Sequence, residues 1–405
     1  MKPAKTPRRL RIGIVTDGLE ERIVDGQARI ANGGVGVYIY QLVKHLLEVD
    51  GSSEFVLMRY GQGYLDIYRN PRVQVVFFST ARGRFLRQAL EHDYRRAARS
   101  LALDLVHFPN QFGGIFFPRS IRRVVTLHDL TPLLFPAMHP WQRVFAYKVG
   151  ARFALRRADR IIVVSNHTSK DVLAFEPRCA PALVTVYSGV RMAGGTGAAD
   201  PSFLAGKGLQ RPYILAVGVL EPRKNYTLPL TTLKRLIAEG HNLDLVIIGR
   251  PGWHWVDPRT SPEFLSLNGR VHILKDVADR DMVEYYRHAA VFVYPSWYEG
   301  FGLPVLEAMA CGAPVVCSNS SAIPEAGGTA ALYADPGDPP AFARQIARVL
   351  GDGELRRRMI ASGLERARQL SWEQTARETM RVYRSVGDPD GESADSARLS
   401  PSHSR

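Results

Sequence analysis

With 405 residues, 45% of them hydrophobic and a mean hydropathy of −0.13, the chain is long enough for two soluble domains of roughly 180 residues, each with its own core. No apolar run approaches ~18 residues, which excludes a membrane-spanning helix, and the basic start MKPAKTPRRLRIGIV reads as a first strand rather than a signal peptide. Cys179, Cys311 and Cys317 have neither disulfide-framework nor zinc spacing, so the chain is expected in the cytosol. Residues 1–190 hold 28 Lys and Arg against 15 Asp and Glu, whereas residues 191–405 hold 25 against 24. A net +13 beside +1 puts a basic surface on the first half only. The pI of about 9.8 raises nucleic-acid binding, but no zinc, RRM or helix-turn-helix pattern supports it and no nucleic-acid partner is expected.

In chain order, a strand at Arg11–Thr16 leads through a polar segment to Asn32-Gly33-Gly34-Val35-Gly36-Val37-Tyr38 and a helical pattern of Ile39, Leu42, Val43, Leu46 and Leu47. A glycine turn between strand and helix lets amides approach a phosphate, although many such turns need glycine for sterics alone. Its distance from the strand does not fit a dinucleotide fingerprint, which argues against an NAD enzyme. Strands follow at Phe55–Met58 and Val73–Phe78. Arg84–Leu101 reads as one amphipathic helix, with Leu86, Leu90, Tyr94, Ala97 and Leu101 on one face and Arg84, Arg87, Arg95 and Arg99 opposite. Strands Leu103–Phe108 and Arg123–Leu127 precede His128-Asp129, and a strand's carboxyl end is where α/β sheets place ligands. Trp141–Arg157 is a helix mixing Trp141, Phe145, Tyr147 and Phe153 with five basic residues; Ser165 is an N-cap after strand Ile161–Val164. Val184–Tyr187 is the last strand of this half.

Residues 191–210 are small and linker-like. Strand Tyr213–Val217 then opens Gly218-Val219-Leu220-Glu221-Pro222-Arg223-Lys224-Asn225, where Arg223 and Lys224 follow a strand end. Strands end at Gly249 and near Asp276-Val277, and a helix at Asp279–Ala289 leads to the most informative stretch, YPSWYEGFGLPVLEAMACGAPVVCS. Val291–Tyr294 is a buried strand; Pro295, Gly300 and Gly302 force a tight loop; Pro304 suits a helix start; Gly312 stops that helix before the strand at Pro314–Cys317. The unit is βαβ with Glu299 on the loop and Glu307 in the helix's first turns. Taken singly, Glu299 is a helix cap and Glu307 a solvated face; taken together, two carboxylates border the amides of a helix N-terminus that favours an anion. Helices at Pro340–Leu350, Leu355–Gln369 and Trp372–Ser385 follow, then a tail disordered by composition.

The Glu-x7-Glu spacing within EGFGLPVLE resembles the signature of retaining glycosyltransferases with the GT-B fold, the group 1 or family four type. The resemblance covers about residues 10–385. It implies an α/β protein of two Rossmann-like domains facing across a cleft: residues 8–190 on the acceptor side with the returning helix 371–386, a linker 191–210, a sugar-nucleotide-binding domain 211–370 and a tail 387–405. It further implies Glu299 at the donor sugar with Gly300, Phe301, Gly302 and Leu303 beside it, and Glu307 on the ribose. His128 is implied near the reacting carbon, Lys224 on the diphosphate, the base held near Val277, and Gly34 and Gly36 facing the diphosphate or acceptor. Glu325, in Ile323–Gly328, resembles another turn near the donor. Two departures stand out: Val219 occupies the place of the family's arginine, leaving Arg223 to supply that charge, and Ser188–Arg191 replaces the usual Asn-Gly-x-Asp.

The reaction implied is retaining hexose transfer from a nucleoside diphosphate sugar, which is a substrate and not a cofactor. No metal is expected, since no Asp-x-Asp sits at a strand end. HDLTPLLFP with EPRKN resembles bacterial polysaccharide mannosyltransferases, making GDP-mannose the expected donor and UDP-sugars the alternative. The expected acceptor is a glycan or a polyprenyl-diphosphate-linked one at an anionic membrane, with the protein peripheral on the cytoplasmic face and held by charge through its first domain. A glycosidase pair is a rival reading of the two carboxylates, but such pairs flank a bond from opposite sides. A catalytically silent sugar-nucleotide sensor is another.

Overall fold

The computed structural model describes residues 9–24, 27–30, 33–79, 91–110, 113, 115–190, 200–252, 254, 257–267 and 269–387. Two sheets carry the chain. The first contains β1 (Arg11–Val15), β4 (Glu54–Tyr60), β5 (Val73–Phe78), β6 (Leu105–Phe108), β7 (Arg122–Leu127), β8 (Arg160–Val163) and β9 (Leu183–Thr185), ordered β5-β4-β1-β6-β7-β8-β9. The second contains β10 (Tyr213–Val217), β11 (Asp244–Ile248), β12 (Val271–Leu274), β13 (Val291–Tyr294), β14 (Val315–Ser318) and β15 (Leu332–Ala334), ordered β12-β11-β10-β13-β14-β15. All pairings within both sheets are parallel. Parallel strands need cover on both faces, and β6, β13 and β14 are buried at every residue.

The helices longer than seven residues are α1 (Gly34–Val49), α2 (His92–Ser100), α3 (Trp141–Arg157), α4 (Asn166–Phe175), α5 (Thr227–Ala238), α6 (Asp279–His288), α7 (Leu303–Ala310), α8 (Pro339–Gly351), α9 (Gly353–Gln369) and α10 (Trp372–Gly387). Most lie within a residue or two of the sequence expectation. The sequence reading places neither α5 nor β15, and two further findings differ. The polar segment after β1 forms an antiparallel hairpin, β2 (Glu21–Val24) and β3 (Gln27–Ile30), where Asp-Gly separates two alternating runs. The helix expected over Arg84–Leu101 is not continuous: Glu91, at φ 56, breaks the right-handed path, and α2 starts after it. Residues 84–90, with Arg84 and Arg87, lie outside the described residues. So do 191–199 of the expected linker and the tail from 388. The remainder of the linker rests on α6, with Phe203 edge-on to Tyr285 at 5.1 Å and Lys207 paired to Asp281 at 2.8 Å.

The chain's end completes the first sheet. Helix α10 packs on α1, burying Trp372, Ala376, Met380 and Tyr383. Tyr383 shares a 2.6 Å hydrogen bond with Nδ1 of buried His107, whose Nε2 lies 2.8 Å from Thr126 Oγ1. Burial pushes His107 down to about 3, so it is neutral. The crossover that delivers α10 passes against Gly189, where a Cβ would sit 2.2 Å from the Trp372 nitrogen. Backbone cannot yield as a side-chain tip can. Gly189→Ala is therefore expected to destabilise the protein by about 1–3 kcal/mol, the usual cost of overpacking. Urea unfolding with an unchanged midpoint would show the crossover to be looser than this contact requires.

Candidate active site

Strand order places the site. From β10 the chain runs to β11 and β12 on one side, then returns to add β13 on the other, so the loops after β10 and β13 diverge at a topological switch point. The loop after β10 carries Arg223 and Lys224 on a 3₁₀ turn, Pro222–Lys224; the loop after β13 carries Glu299. Lys224 Nζ donates to Glu299 Oε1 at 2.6 Å and to the Tyr294 hydroxyl at 2.7 Å. Arg223 lies 2.7 Å from Glu299 Oε2 and 2.5 Å from Glu221 Oε1, and donates to the Tyr298 carbonyl. Lys224 and Glu299 are only 8% and 7% exposed.

Burial alone would raise the Glu299 carboxyl, but Arg223 and Lys224 outweigh it and hold it down at about 2. Burial also pulls the Lys224 ammonium below its ordinary range, against the attraction of Glu299. Helix α7 starts at Leu303 after Gly302, whose φ is 109. Glu307 lies one turn in, where it accepts from the Tyr286 hydroxyl at 3.1 Å; burial raises its carboxyl, and no cation pairs with it among the described residues.

The first half closes over this cluster. A Cβ on Gly300 would lie 1.9 Å from the His128 carbonyl oxygen, so only glycine fits there. Thr168 Oγ1, in α4, donates to the Gly300 carbonyl at 3.2 Å, and the Tyr298 hydroxyl donates to Asp171 of the same helix. Phe301 stacks on Tyr187 at 5.6 Å. Gly34 faces Leu303, with a Cβ position 3.8 Å from Leu303 Cδ1. The His128 ring stands edge-on to Tyr38 at 4.8 Å and its Nε2 lies 2.8 Å from the Pro109 carbonyl, an acceptor that fixes the proton on Nε2. Burial lowers its pKa, which keeps the ring neutral.

Glu299, Lys224, Arg223, the 300–303 loop, Glu307, His128 and Gly34 thus belong to one neighbourhood. Gly36 is buried inside the first turn of α1, its amide spent on the Gly33 carbonyl at 3.0 Å, so the helix start offers the amides of Gly34 and Val35 instead. Val277 lies in the turn after β12, beyond a left-handed Asp276. The Val219 side chain faces Gly33 and Gly252 rather than the cations.

Glu325 caps α4 across the cleft, accepting from the amides of Asn166 and His167 at 2.8 and 2.7 Å and from the Tyr187 hydroxyl at 2.9 Å. Sequence reasoning did not find Glu221, Tyr294, Thr168 or Asp171. Only Thr168 has a local signal, through the Ser165 cap whose Oγ accepts from its amide at 3.0 Å.

The ion cluster carries a pH signature. A carboxyl depressed from 4.5 to about 2 contributes stability that is complete above pH 4.5 and lost as pH falls toward 2. Glu299→Gln leaves two buried cations short of a partner and is expected to cost about 3–5 kcal/mol near neutral pH. Its acid limb should also be flatter than wild type between those two values. Urea midpoints measured across that range test this; parallel limbs for the two proteins would mean that Glu299 is not held down by its neighbours.

Comparison with known proteins bears on the family and the fold. Residues 203–366 match the family described as "Glycosyl transferases group 1", and residues 32–193 match "Glycosyltransferase Family 4". The O-antigen chain mannosyltransferase B of Escherichia coli is 32% identical over 371 residues, 87% of this chain and 96% of that protein. Among solved structures, HepE from Anabaena in complex with UDP-glucose superposes with a TM-score of 0.71 at 16% identity, covering 93% of this chain and 100% of that one. The sucrose-phosphate synthase of Thermosynechococcus elongatus gives 0.68 at 22%, covering 93% and 99%. Two parallel sheets, a site at the switch point of the second, and a relative matched across nearly its whole length establish that this chain is an α/β protein of the GT-B fold and belongs to the group 1 glycosyltransferases.

Proposed function

We propose that the protein transfers a hexose, mannose from GDP-mannose, with retention at the anomeric carbon, onto a lipid-linked or oligosaccharide acceptor in cell-surface polysaccharide synthesis. The observation that carries this reading is the buried Arg223–Glu299–Lys224 cluster beside the start of α7. A nucleoside diphosphate brings its own negative charge to that place. Lys224 and Arg223 then exchange Glu299 for the diphosphate oxygens, and Glu299, released from two cations, accepts from the sugar hydroxyls. Glu307, one turn into α7, takes the ribose hydroxyls, and the base rests near Val277. Mannose is supported by the O-antigen mannosyltransferase relative, and the nucleotide-sugar class by the UDP-glucose complex of HepE.

In the reaction the bond between the anomeric carbon and the β-phosphate oxygen breaks, and the acceptor oxygen bonds to that carbon on the same face. The acceptor proton passes to the departing phosphate. The protein's main contribution is to stabilise charge growing on that phosphate, which Lys224, Arg223 and the α7 amides supply without a metal. Neutral His128, its proton fixed on Nε2 by Pro109, orients the sugar from the opposite side. The acceptor enters along the first half, the half that bears the net positive charge, and the protein works at the cytoplasmic face of an anionic membrane.

Binding to the native state raises its melting temperature, so a thermal-shift screen of GDP- and UDP-sugars tests the donor. GDP-mannose is expected to stabilise most; preference for a UDP-sugar would reassign the base, and no response to any sugar nucleotide would refute the reading. Glu307→Gln should fold normally and weaken donor binding by about 1–3 kcal/mol in calorimetry.

Lys224→Ala should lower kcat by about 10²–10³, the range seen when one transition-state donor is lost, while binding of the free nucleoside changes little. A Lys224→Ala enzyme with near wild-type kcat/KM removes the lysine from the chemistry.

A further inference from the structure

Helix α3 has two apolar faces. Val144, Tyr147, Ala151, Ala154 and Leu155 are buried against the first half. On the other side Trp141, Phe145, Val149 and Phe153, spaced four apart, are 72, 62, 50 and 58% exposed. One apolar face is what a surface helix needs; a second, of three aromatics and a valine in water, requires another occupant. The helix contains five Lys and Arg and no Asp or Glu. Lys148, Arg152, Arg156 and Arg157 border the ridge in exposed positions, with Arg152 and Arg156 sharing the single carboxylate of Glu176.

The surroundings extend the pattern. Arg157 of α3 donates to the Ile115 carbonyl at 2.6 Å, and Arg95 of α2 to the Phe116 carbonyl at 3.3 Å. Exposed Phe116 therefore sits between the ridge and the α2 face that presents Arg96 and Arg99. Exposed Leu134 ends the short helix Thr131–Leu134, which packs on α3. The next residue, Phe135, places its ring 5.5 Å from that of Tyr298, immediately before Glu299. The segment that α3 packs against thus reaches the cleft.

We infer that the aromatic ridge of α3 inserts into the interfacial region of an anionic phospholipid bilayer, with its flanking cations on the headgroups, and so turns the mouth of the cleft toward the membrane. Aromatic side chains on one face with Lys and Arg beside them are the composition of a helix lying in a lipid interface. Charge decides the occupant, because a surface this basic is complementary to anionic headgroups. The sequence led to attachment by charge alone; four exposed apolar side chains in a row add insertion to it. The inference rests on the lipid-linked acceptor proposed above, and it assigns the surface from which that acceptor is delivered.

The test is co-sedimentation of the full chain with vesicles of phosphatidylcholine, alone or mixed with phosphatidylglycerol. Wild type should bind the mixed vesicles, and a fraction should stay bound at ~1 M salt, where the Debye length is only about 3 Å. Phe145→Ser with Phe153→Ser should reduce partitioning about tenfold or more, because both side chains are solvated in the free protein and leave water on insertion. Lys148→Glu with Arg99→Glu should reduce binding at low salt only. Brominated lipid should quench tryptophan fluorescence in wild type and quench it less in Trp141→Phe.

Three results would overturn the inference: wild type remaining in the supernatant at low salt; a Phe145→Ser, Phe153→Ser protein that binds like wild type; or a wild-type dimer that the ridge substitutions make monomeric, which would assign the ridge to a second copy. Thermal shift with sugar nucleotides on the same proteins separates the two readings. Vesicle binding without any donor response refutes the proposed function alone, and a donor response without vesicle binding refutes the ridge alone.

Discussion

Lys224 and Glu299 share a space from which water is nearly excluded, Arg223 lies at its edge, and burying either of the first two charges unpaired would be costly. The loops after β10 and β13 come from strands adjacent in space but far apart in sequence, and this charge balance ties them together. It also makes the site exchangeable. An anionic ligand that displaces the carboxylate keeps both cations satisfied, so the cost of binding is the release of Glu299 and not the stripping of two bare charges. A diphosphate suits such a site better than a neutral sugar.

The same loop is held from the other half by main-chain and polar contacts and by the stack of Phe301 on Tyr187. Gly300 lies against the His128 carbonyl, Thr168 reaches the Gly300 carbonyl, and Glu325 takes two amides at the start of α4. These contacts are specific in geometry and fix the register of one half on the other. The position of Glu299 therefore depends on residues of both halves, although its ion partners all come from one.

Much of this was legible in the residues. The strand, loop and helix from Val291 to Ser318 follow from β-branched residues, three prolines and three glycines, and the bounds of Trp141–Arg157 match the helix found. Local chemistry writes local structure. The long-range pairs have no such signature: Tyr298 and Asp171 are 127 residues apart, and Glu325 and His167 are 158. Glu325 could be placed at a functional turn, but nothing nearby in sequence indicates that a helix start in the other half would claim its carboxylate. Periodicity fails differently in Arg84–Leu101, where the apolar spacing continues through Glu91 although the backbone turns left-handed there. In α3 the spacing reveals an apolar stripe but cannot say which of two stripes the core covers.

The return of α10 onto α1 has a bearing on how the protein is made. The first sheet is encoded by residues 11–185, yet one of its faces is covered by residues 372–387, and buried His107 receives Tyr383 from the far end of the chain. As the chain leaves the ribosome, the first half is complete in sequence but lacks its cover until residues 372–387 have emerged. The second half, whose strands and helices are contiguous from 213 to 369, can assemble in the interval. Order of synthesis and order of completion are reversed, and the uncovered face of α1 is the surface a chaperone would meet.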